Sequence, residues 1–229
     1  MPIAASLGPS TVAYTLAVAT RASLDALTRG ERQEYDRLPH AERRRDWLAG
    51  RLAAKRAVAE HCRLPFDRVR LESQTGTAPS CLIADDLDRW SLLPVMVSIA
   101  HCDGVGIAAA ADRGSLIGVD VERAGDIGPA EYRYFLAPGE LAFARRVGAT
   151  LLWVLKEAVW KALGLALSTS FASVILDFDA NDVRSVSVGS KRMSARARVV
   201  RIPDRSDLVA AAVEIDAEHP SPIPRPQSV

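Results

Sequence analysis

Apolar and polar residues along the chain follow two periods, one typical of strands and one typical of helices. Apolar runs at strand length predict strands over 12–18, 69–72, 95–100, 105–111 and 116–122. The Asp103-Gly104 pair between two of these runs predicts a tight turn, so residues 95–111 are expected to form a buried hairpin. Residues 80–93 mix Asp, Trp and Leu, and we expect an irregular loop there, after a turn at 76–79.

Two longer stretches have the composition and spacing of helices. The first covers residues 41–62, directly after Pro39, and the second covers residues 150–165. Shorter helices are expected at 130–135 and 139–146, and further strands at 171–178, 183–188, 193–202 and 208–215. The tail from Glu218 contains four prolines and is expected to be disordered.

This order of elements predicts an α+β fold in two parts. No sequence repeat is evident, yet each half contributes one long helix and several strands. We therefore expect an N-terminal subdomain over 1–112 and a C-terminal subdomain over 113–217, followed by the tail at 218–229. The two subdomains are expected to meet near residues 112–115.

Composition and charge exclude several classes of function. The chain has 229 residues, 48% of them hydrophobic, and a net charge of +1, which argues against bulk binding to nucleic acid or to an anionic membrane. Its three cysteines form no CxxC pair, which indicates a reducing compartment rather than a disulfide framework or a zinc site. The first twenty residues do not resemble a signal peptide. These features predict a soluble, cytoplasmic protein.

A pair of acidic residues ends one of the predicted strands. Asp120 and Glu122 are two positions apart, so a strand places both carboxylates on one face. Neighbouring carboxylates repel each other unless a cation, a proton or solvent relieves them, and oxygen ligands of this kind suit magnesium. The alternative is a strand that reaches solvent, where both acids only keep its edge hydrated.

The second long helix carries a further group of charged residues. Glu157 and Lys161 are four positions apart and share a helical face, with Lys156 next to Glu157. Trp153 and Trp160 form an apolar stripe, so the helix is expected to be packed. The alternative is an exposed salt bridge. Together with the acid pair, Glu157 would supply a third carboxylate for a metal site. Lys156 and Lys161 would then neutralise a pyrophosphate.

These segments together resemble a known family. Gly118-Val119-Asp120-Val121-Glu122, followed 34 residues after Glu122 by Lys156-Glu157 and then Lys161, resembles the signature of the 4′-phosphopantetheinyl transferase superfamily. In that family a G-[IV]-D segment precedes W/F-x-x-K-E-x-x-x-K. The resemblance implies that Asp120, Glu122 and Glu157 hold Mg²⁺, and that Lys156 and Lys161 contact the phosphates of coenzyme A.

Two further segments resemble elements of the same family. Residues 98–102 resemble its S-x-S/T-H element, which implies that His101 faces the coenzyme A phosphates, although Ala100 replaces a hydroxyl residue. In the first long helix Arg51 interrupts an apolar stripe, so it should point inward or into a cleft. This helix resembles the family's R-x-x-x-F-x-x-x-R segment, which implies that Arg51 and Arg43 contact the 3′-phosphate. The register of the first arginine is ambiguous, and the turn at 76–79 lacks the family's lysine.

The resemblance also implies a fold and a reaction. The fold is a pseudo-twofold pair of α+β subdomains, each with a small sheet packed on a long helix, and the length matches the longer, monomeric, Sfp-type class. The implied reaction moves 4′-phosphopantetheine from coenzyme A to a serine of an apo acyl or peptidyl carrier protein and releases 3′,5′-ADP. Glu157, Lys161 and His101 are the expected catalytic residues, with Glu157 as the candidate base.

Several alternatives stay open at this point. A non-catalytic module of the same fold would bind coenzyme A or a carrier protein, and an unrelated magnesium phosphohydrolase is a third possibility. The segment between the two halves of the motif offers anchors for a carrier, or it simply packs short helices. The anchors are Tyr132, Arg133, Tyr134, Phe135 and Leu136. The remaining histidines are interpreted as structural; they are His40, His61 and His219.

Overall fold

The computed structural model describes residues 13–72, 79–85, 87, 89–125, 127–166, 168–179 and 182–216. The strands in this part are β1 Ala13–Val18, β2 Val69–Glu72, β3 Ser80–Ala84, β4 Trp90–Leu92, β5 Val95–Cys102, β6 Val105–Asp112, β7 Leu116–Arg123, β8 Val174–Asp179, β9 Asp182–Val188, β10 Lys191–Val200 and β11 Leu208–Ile215. The helices are α1 Arg29–Arg37, α2 Ala41–Cys62, α3 Tyr132–Phe135, α4 Glu140–Val147 and α5 Ala149–Leu163. Short 3₁₀ turns lie at Arg21–Ala26, Phe66–Arg68 and Phe171–Ser173.

All described strands pair in antiparallel sheets. One sheet has the order β1-β6-β5, a second the order β7-β11-β10-β9-β8, and a small third sheet the order β2-β3-β4. The mixture of helices with small antiparallel sheets confirms the predicted α+β class. No helix among the described residues combines the length and the apolar character needed to cross a bilayer.

The helices and the two larger sheets form four layers. On β6, Ala108 and Ala110 pack in the same cluster as α2, while Ile107 and Ala109 face the other way and pack against Val119 of β7. On the far side of the second sheet, β11 packs in the same cluster as α5. The order is therefore helix, sheet, sheet, helix, and one apolar cluster lies in each of the three interfaces.

Two glycines allow the long helices to lie directly on their sheets. A Cβ atom built on Gly118 of β7 would lie 1.8 Å from the carbonyl oxygen of Ala158 in α5. A Cβ atom built on Gly106 of β6 would lie 2.2 Å from the backbone of Ala49 in α2. Real Cβ atoms do not approach so closely, so each helix depends on the absence of a side chain. The same device in both halves supports the predicted pseudo-twofold arrangement.

The order of elements is also repeated in the two halves. Each half has a first strand, short helical turns, a long helix, a 3₁₀ turn and then antiparallel strands. A short sequence repeat marks the same place in each: Phe66, Val69 and Leu71 have the spacing of Phe171, Val174 and Leu176. The sequence contains this repeat although none was evident from the pattern alone. The expected subdomain boundary falls between β6 and β7.

Most predicted elements are confirmed, with shifts of a few residues at their ends. The expected irregular loop over 80–93 is wrong, because β3 and β4 form a hairpin there. Asp85 closes its turn, since its carboxylate accepts the backbone N–H groups of Leu87 and Arg89. Residues 76–78 of the expected turn and the tail at 218–229 lie outside the described residues.

Helix α1 is an element that the hydrophobic pattern does not predict. Its N-terminus is a capping box, in which Thr28 Oγ1 accepts the N–H of Glu31 and the Glu31 carboxylate accepts the N–H of Thr28. The sequence signal for this box is Thr-x-x-Glu at 28–31. It could have identified the helix.

The Asp103-Gly104 turn joins the two halves. Both residues have positive φ, 51° and 78°, as a two-residue hairpin turn of this kind requires, so the predicted hairpin is confirmed. The Asp103 carboxylate pairs with Arg45 of α2 at 2.8 Å, with Arg205 at 2.6 Å and with Arg123 of β7 at 3.3 Å. One carboxylate in the first half is thus held by arginines from both halves.

Candidate active site

Asp120 lies at the centre of the candidate site. It is on β7, on the same face as Gly118, and that face is covered by α5. Asp120 is 3% exposed, and its Oδ1 accepts a hydrogen bond of 2.6 Å from the Nζ of Lys161. Lys161 also lies 3.6 Å from the carboxylate of Glu157, one turn earlier on α5. The structure therefore brings together Asp120, Glu157 and Lys161, as the sequence predicts.

The second oxygen of Asp120 is left without a partner. Asp120 Oδ2 is buried and has no hydrogen bond to any residue that the structure describes. A buried carboxylate oxygen in this state is costly unless a ligand satisfies it. It points to a cation or a hydrogen-bond donor as the missing partner.

The electrostatics of the site agree with a need for positive charge. Desolvation, and then the charge of Asp120, raise the pKa of Glu157 above its usual range, although Lys161 opposes the shift. Desolvation lowers the pKa of Lys161, but Asp120, Glu157 and Glu122 together outweigh it and raise that pKa overall. Three carboxylates thus act on one lysine, so the site carries an excess of negative charge that favours a divalent cation.

The donors fit Mg²⁺ only in part. The described residues contain no group of three His, Cys, Asp or Glu side chains arranged to hold a metal ion. Asp120 and Glu157 meet around Lys161, whereas Glu122 lies two residues further along β7 and is half-buried. Magnesium commonly takes one or two carboxylates and completes its shell with water and substrate phosphates. Asp120 with one neighbouring acid is a donor set that this ion accepts.

His101 lies at the end of β5, on the first-half side of the site. It is exposed, and its ring packs against Gly50 of α2; a Cβ atom built on Gly50 would lie 3.0 Å from the ring. Desolvation lowers the pKa of its imidazole; Asp46 opposes this shift, and Lys161 and Arg43 add to it. His101 is therefore within electrostatic reach of the lysine that holds Asp120.

Lys156 points elsewhere, although it precedes Glu157 in the chain. Its Nζ lies 2.6 Å from the Glu140 carboxylate, 2.5 Å from the Phe135 carbonyl oxygen and 3.4 Å from the Phe171 carbonyl oxygen. An ammonium group has three donors, and these three acceptors use them all. Desolvation lowers the pKa of Lys156, and Glu140 opposes that shift. The structure does not bring Lys156 to Asp120.

Arg51 is also held within its own half. It is 4% exposed, donates to the Leu71 carbonyl oxygen at 2.7 Å and to Glu34 at 2.8 Å, and its guanidinium lies 4.4 Å from the centre of the Trp47 ring. These contacts explain why an arginine interrupts the apolar stripe of α2 without a ligand. Arg43, the other arginine assigned to the 3′-phosphate, is exposed. Its positive charge helps to lower the pKa of His101.

Two residues at the site were not identified by sequence reasoning. Ser98 is buried, and its hydroxyl accepts the N–H of Val119 at 3.1 Å, which ties the strand of His101 to the strand of Asp120. Asp46 accepts the N–H of Gly104 at 2.5 Å, and its negative charge opposes the lowering of the His101 pKa. Ser98 belongs to the segment that resembles S-x-S/T-H, but the sequence does not indicate that its hydroxyl bonds to Val119. Asp46 had no signal beyond being acidic within a basic helix.

The segment expected to contact a carrier protein is divided between core and surface. Phe135 is completely buried and packs edge-on against the rings of Tyr132 and Trp153. Tyr134 is 61% exposed, and Arg133 is exposed and lies over the Tyr134 ring. Phe135 therefore has the packing role, while Arg133 and Tyr134 are available at the surface.

Comparison with protein families agrees with this geometry. Residues 116–213 match the model of the 4′-phosphopantetheinyl transferase superfamily. The matched region begins with β7 and ends in β11, so it contains Asp120, Glu157 and Lys161. The comparison with curated proteins gave no match. The match agrees with the resemblance found in the motifs, and residues 116–213 are similar to the 4′-phosphopantetheinyl transferase superfamily.

Proposed function

We propose that this protein transfers the 4′-phosphopantetheine group of coenzyme A to a serine of an apo acyl or peptidyl carrier protein and releases 3′,5′-ADP. The family match supports phosphopantetheine transfer as the general activity. The observation that carries the finer proposal is the buried Oδ2 of Asp120, beside Lys161 and Glu157, which has no hydrogen-bond partner in the part of the chain that the structure describes. The protein is proposed to act as an Sfp-type monomer, with 1–112 and 113–217 as its two subdomains.

Magnesium is proposed to be the cation of this site, held by Asp120 and Glu157 with Glu122 as the third acid. When bound, the ion would neutralise negative charge on the pyrophosphate of coenzyme A and on the leaving 3′,5′-ADP. Lys161 contributes fixed positive charge beside Asp120, which favours a phosphate oxygen at the same place. Glu157 is proposed to accept the serine proton, because its carboxylate lies 3.6 Å from Lys161, beside Asp120, where the pyrophosphate is proposed to bind.

The first half is proposed to supply cationic contacts to the remaining phosphates. His101 and Arg43 lie on the first-half side of the site and are exposed. An exposed arginine beside an imidazole can bind a phosphate through charge-assisted hydrogen bonds. Lys156 is left out of this set because its three donors already have acceptors, and Arg51 because Glu34 and Leu71 hold it. We place the 3′-phosphate near Arg43 rather than Arg51.

The transfer can be tested with the whole protein. It is incubated with coenzyme A, Mg²⁺ and a purified apo carrier protein, and the carrier is then weighed by mass spectrometry. Our proposal predicts a gain of one phosphopantetheine group, with 3′,5′-ADP released in equal amount and no gain when Mg²⁺ is chelated. Binding of coenzyme A without any gain in mass would favour the non-catalytic module. Release of phosphate with an unmodified carrier would favour a phosphohydrolase.

A further inference from the structure

Both halves of the molecule contain a buried lysine–glutamate pair. On α2, Lys55 Nζ lies 3.1 Å from the carboxylate of Glu31, and the two side chains are 1% and 0% exposed. On α5, Lys156 Nζ lies 2.6 Å from the carboxylate of Glu140, and these side chains are 0% and 6% exposed. We call these the first and second clasps. Burying a charged pair costs desolvation free energy, so each pair needs further hydrogen bonds to its remaining donors and acceptors.

The two clasps have the same hydrogen-bond pattern. Each lysine also donates to a carbonyl oxygen five residues before its glutamate, Ala26 at 2.8 Å and Phe135 at 2.5 Å. Each glutamate accepts the N–H three residues before itself, from Thr28 at 2.9 Å and Ala137 at 2.6 Å.

The clasps also reach equivalent strands. The other carboxylate oxygen of each glutamate accepts the N–H of a leucine, Leu71 at 3.1 Å in the first half and Leu176 at 3.2 Å in the second. These leucines end the repeated Phe-x-x-Val-x-Leu segments. Each clasp therefore binds the long helix to a preceding turn and to the strand that follows. The agreement of partners, offsets and burial identifies Lys156 as the structural counterpart of Lys55.

The residues after the two lysines differ. Lys156 is followed by Glu157 and Lys161 of the candidate site, whereas Arg56 and Glu60 occupy the corresponding positions after Lys55. The clasp is thus present in both halves, but the acid site is present in only one. A feature that occurs without the site is explained by the architecture that the halves share, and not by phosphate binding.

We propose that Lys156 is a positioning residue that fixes α3 to α5, and that it is not a phosphate ligand. Its bond to the Phe135 carbonyl oxygen holds the C-terminal end of α3, the single helical turn that carries the exposed Arg133 and Tyr134. Since Glu157 is the next residue on α5, the clasp fixes the distance between the acid site and this surface. The part concerning carrier proteins rests on the proposed function; the structural part does not.

The structural part is tested by two double-mutant cycles. The variants are Lys156→Met, Glu140→Gln and their combination, matched by Lys55→Met, Glu31→Gln and theirs. Each single variant leaves one buried charge unpaired and should lower the melting temperature by about 10 °C. Each double variant should lose far less than the sum of its singles. If a single variant does not fold, its double variant still reports on the pair. Additive losses in the second cycle would overturn the clasp.

The positioning role is tested by measuring the effects on coenzyme A and on the carrier protein separately. Lys156→Met and its double variant should bind coenzyme A within about twofold of the wild type, while KM for the folded carrier protein rises and KM for coenzyme A does not. The Lys55 variants should leave both KM values unchanged. A loss of coenzyme A affinity of tenfold or more in Lys156→Met, with an unchanged melting temperature, would make Lys156 a phosphate ligand. If the wild type transfers nothing, the proposed function fails while the cycles and the binding measurement still decide the clasp.

Discussion

At the scale of single residues, the site is governed by how three carboxylates share one lysine. Asp120 has the shortest contact with Lys161, and its other oxygen has no partner among the described residues. Glu157 is partly exposed and further from the lysine, so its charge is compensated less completely. Desolvation of Glu157, together with the neighbouring charge of Asp120, raises its pKa, and Lys161 does not fully offset these two effects. An acid whose pKa is raised on folding lowers the free energy of unfolding at neutral pH.

Glu157→Gln should therefore stabilise the protein when no divalent cation is present. Below the ordinary glutamate pKa of 4.5 the side chain is protonated in both the folded and the unfolded state, so variant and wild type should differ little. As pH rises, the unfolded state loses the proton first, and wild-type stability falls until the raised pKa is passed. The advantage of Glu157→Gln should grow over this interval and then stay constant.

The measurement is the melting temperature from pH 4 to pH 8 with a chelator present. Glu60→Gln on the exposed face of α2 is the control and should follow the wild type throughout. An advantage for Glu157→Gln that shrinks as pH rises would contradict the raised pKa.

Arg51 provides a second test at this scale. Because its guanidinium is buried against Glu34 and the Leu71 carbonyl oxygen, Arg51→Met should lower the free energy of unfolding by about 2–4 kcal/mol. It should weaken coenzyme A and 3′-dephospho-coenzyme A by the same factor. The matched variant Arg43→Met should weaken coenzyme A selectively, by about tenfold, with little change in stability. Calorimetry with both ligands decides between them, and a selective loss in Arg51→Met would restore the 3′-phosphate role to Arg51.

At the scale of elements, the site depends on how closely α5 lies on β7. Gly118 lets the Ala158 carbonyl group approach the strand directly, and this places Glu157 and Lys161 over Asp120. Gly118 of the Gly118-Val119-Asp120 segment therefore has a packing role. The same contact explains why an acid inside a buried strand can reach a lysine on the helix.

Gly118→Ala tests this packing. The new methyl group would meet backbone rather than a flexible side chain, so α5 must shift, and the free energy of unfolding should fall by about 2–3 kcal/mol. Gly128→Ala is the control, since its Cβ would meet only the end of the Glu131 side chain at 3.2 Å. Urea denaturation gives both values. Equal stability of Gly118→Ala and the wild type would show that the close approach is not required.

Helix α3 allows a test of carrier recognition. Tyr134→Ala should raise KM for a folded carrier protein but leave a serine-containing peptide, coenzyme A binding and the melting temperature unchanged, because its ring is largely exposed. Phe135→Ala is the contrasting variant and should lose stability, because its side chain is completely buried. If Tyr134→Ala has the wild-type KM for both the folded carrier protein and the peptide, α3 is not the surface that binds the carrier.

At the scale of the whole molecule, the site is assembled from both halves. His101 and Asp46 come from the first half and Asp120, Glu157 and Lys161 from the second, and they act on each other across the junction. The Ser98 hydroxyl and the Asp103 carboxylate hold the halves in register. Because both halves supply polar residues to the site, each half can contact a different phosphate of the proposed substrate.

The sequence predicts the elements and acids of this assembly, but it predicts the directions of side chains less well. Long segments with a clear period, such as 41–62 and 208–215, were predicted with their observed bounds. Lys156 and Glu157 are adjacent, yet a helix turns about 100° per residue, so they point at different neighbours. Which of the two faces the site depends on how α5 packs. For the same reason the partners of Arg51 and Ser98, contributed by distant segments, could not be predicted from their own surroundings.

The most direct test of the account compares the wild type with Asp120→Asn in the transfer of phosphopantetheine to an apo carrier protein. Both proteins, with Asp204→Asn as an exposed control, are incubated with coenzyme A and Mg²⁺, and the mass of the carrier is followed over time. We predict that the wild type and Asp204→Asn modify the carrier at similar rates. Asp120→Asn should remain folded and be slower by about a hundredfold or more. Transfer by Asp120→Asn at nearly the wild-type rate would contradict the assignment of Asp120 as the centre of the site.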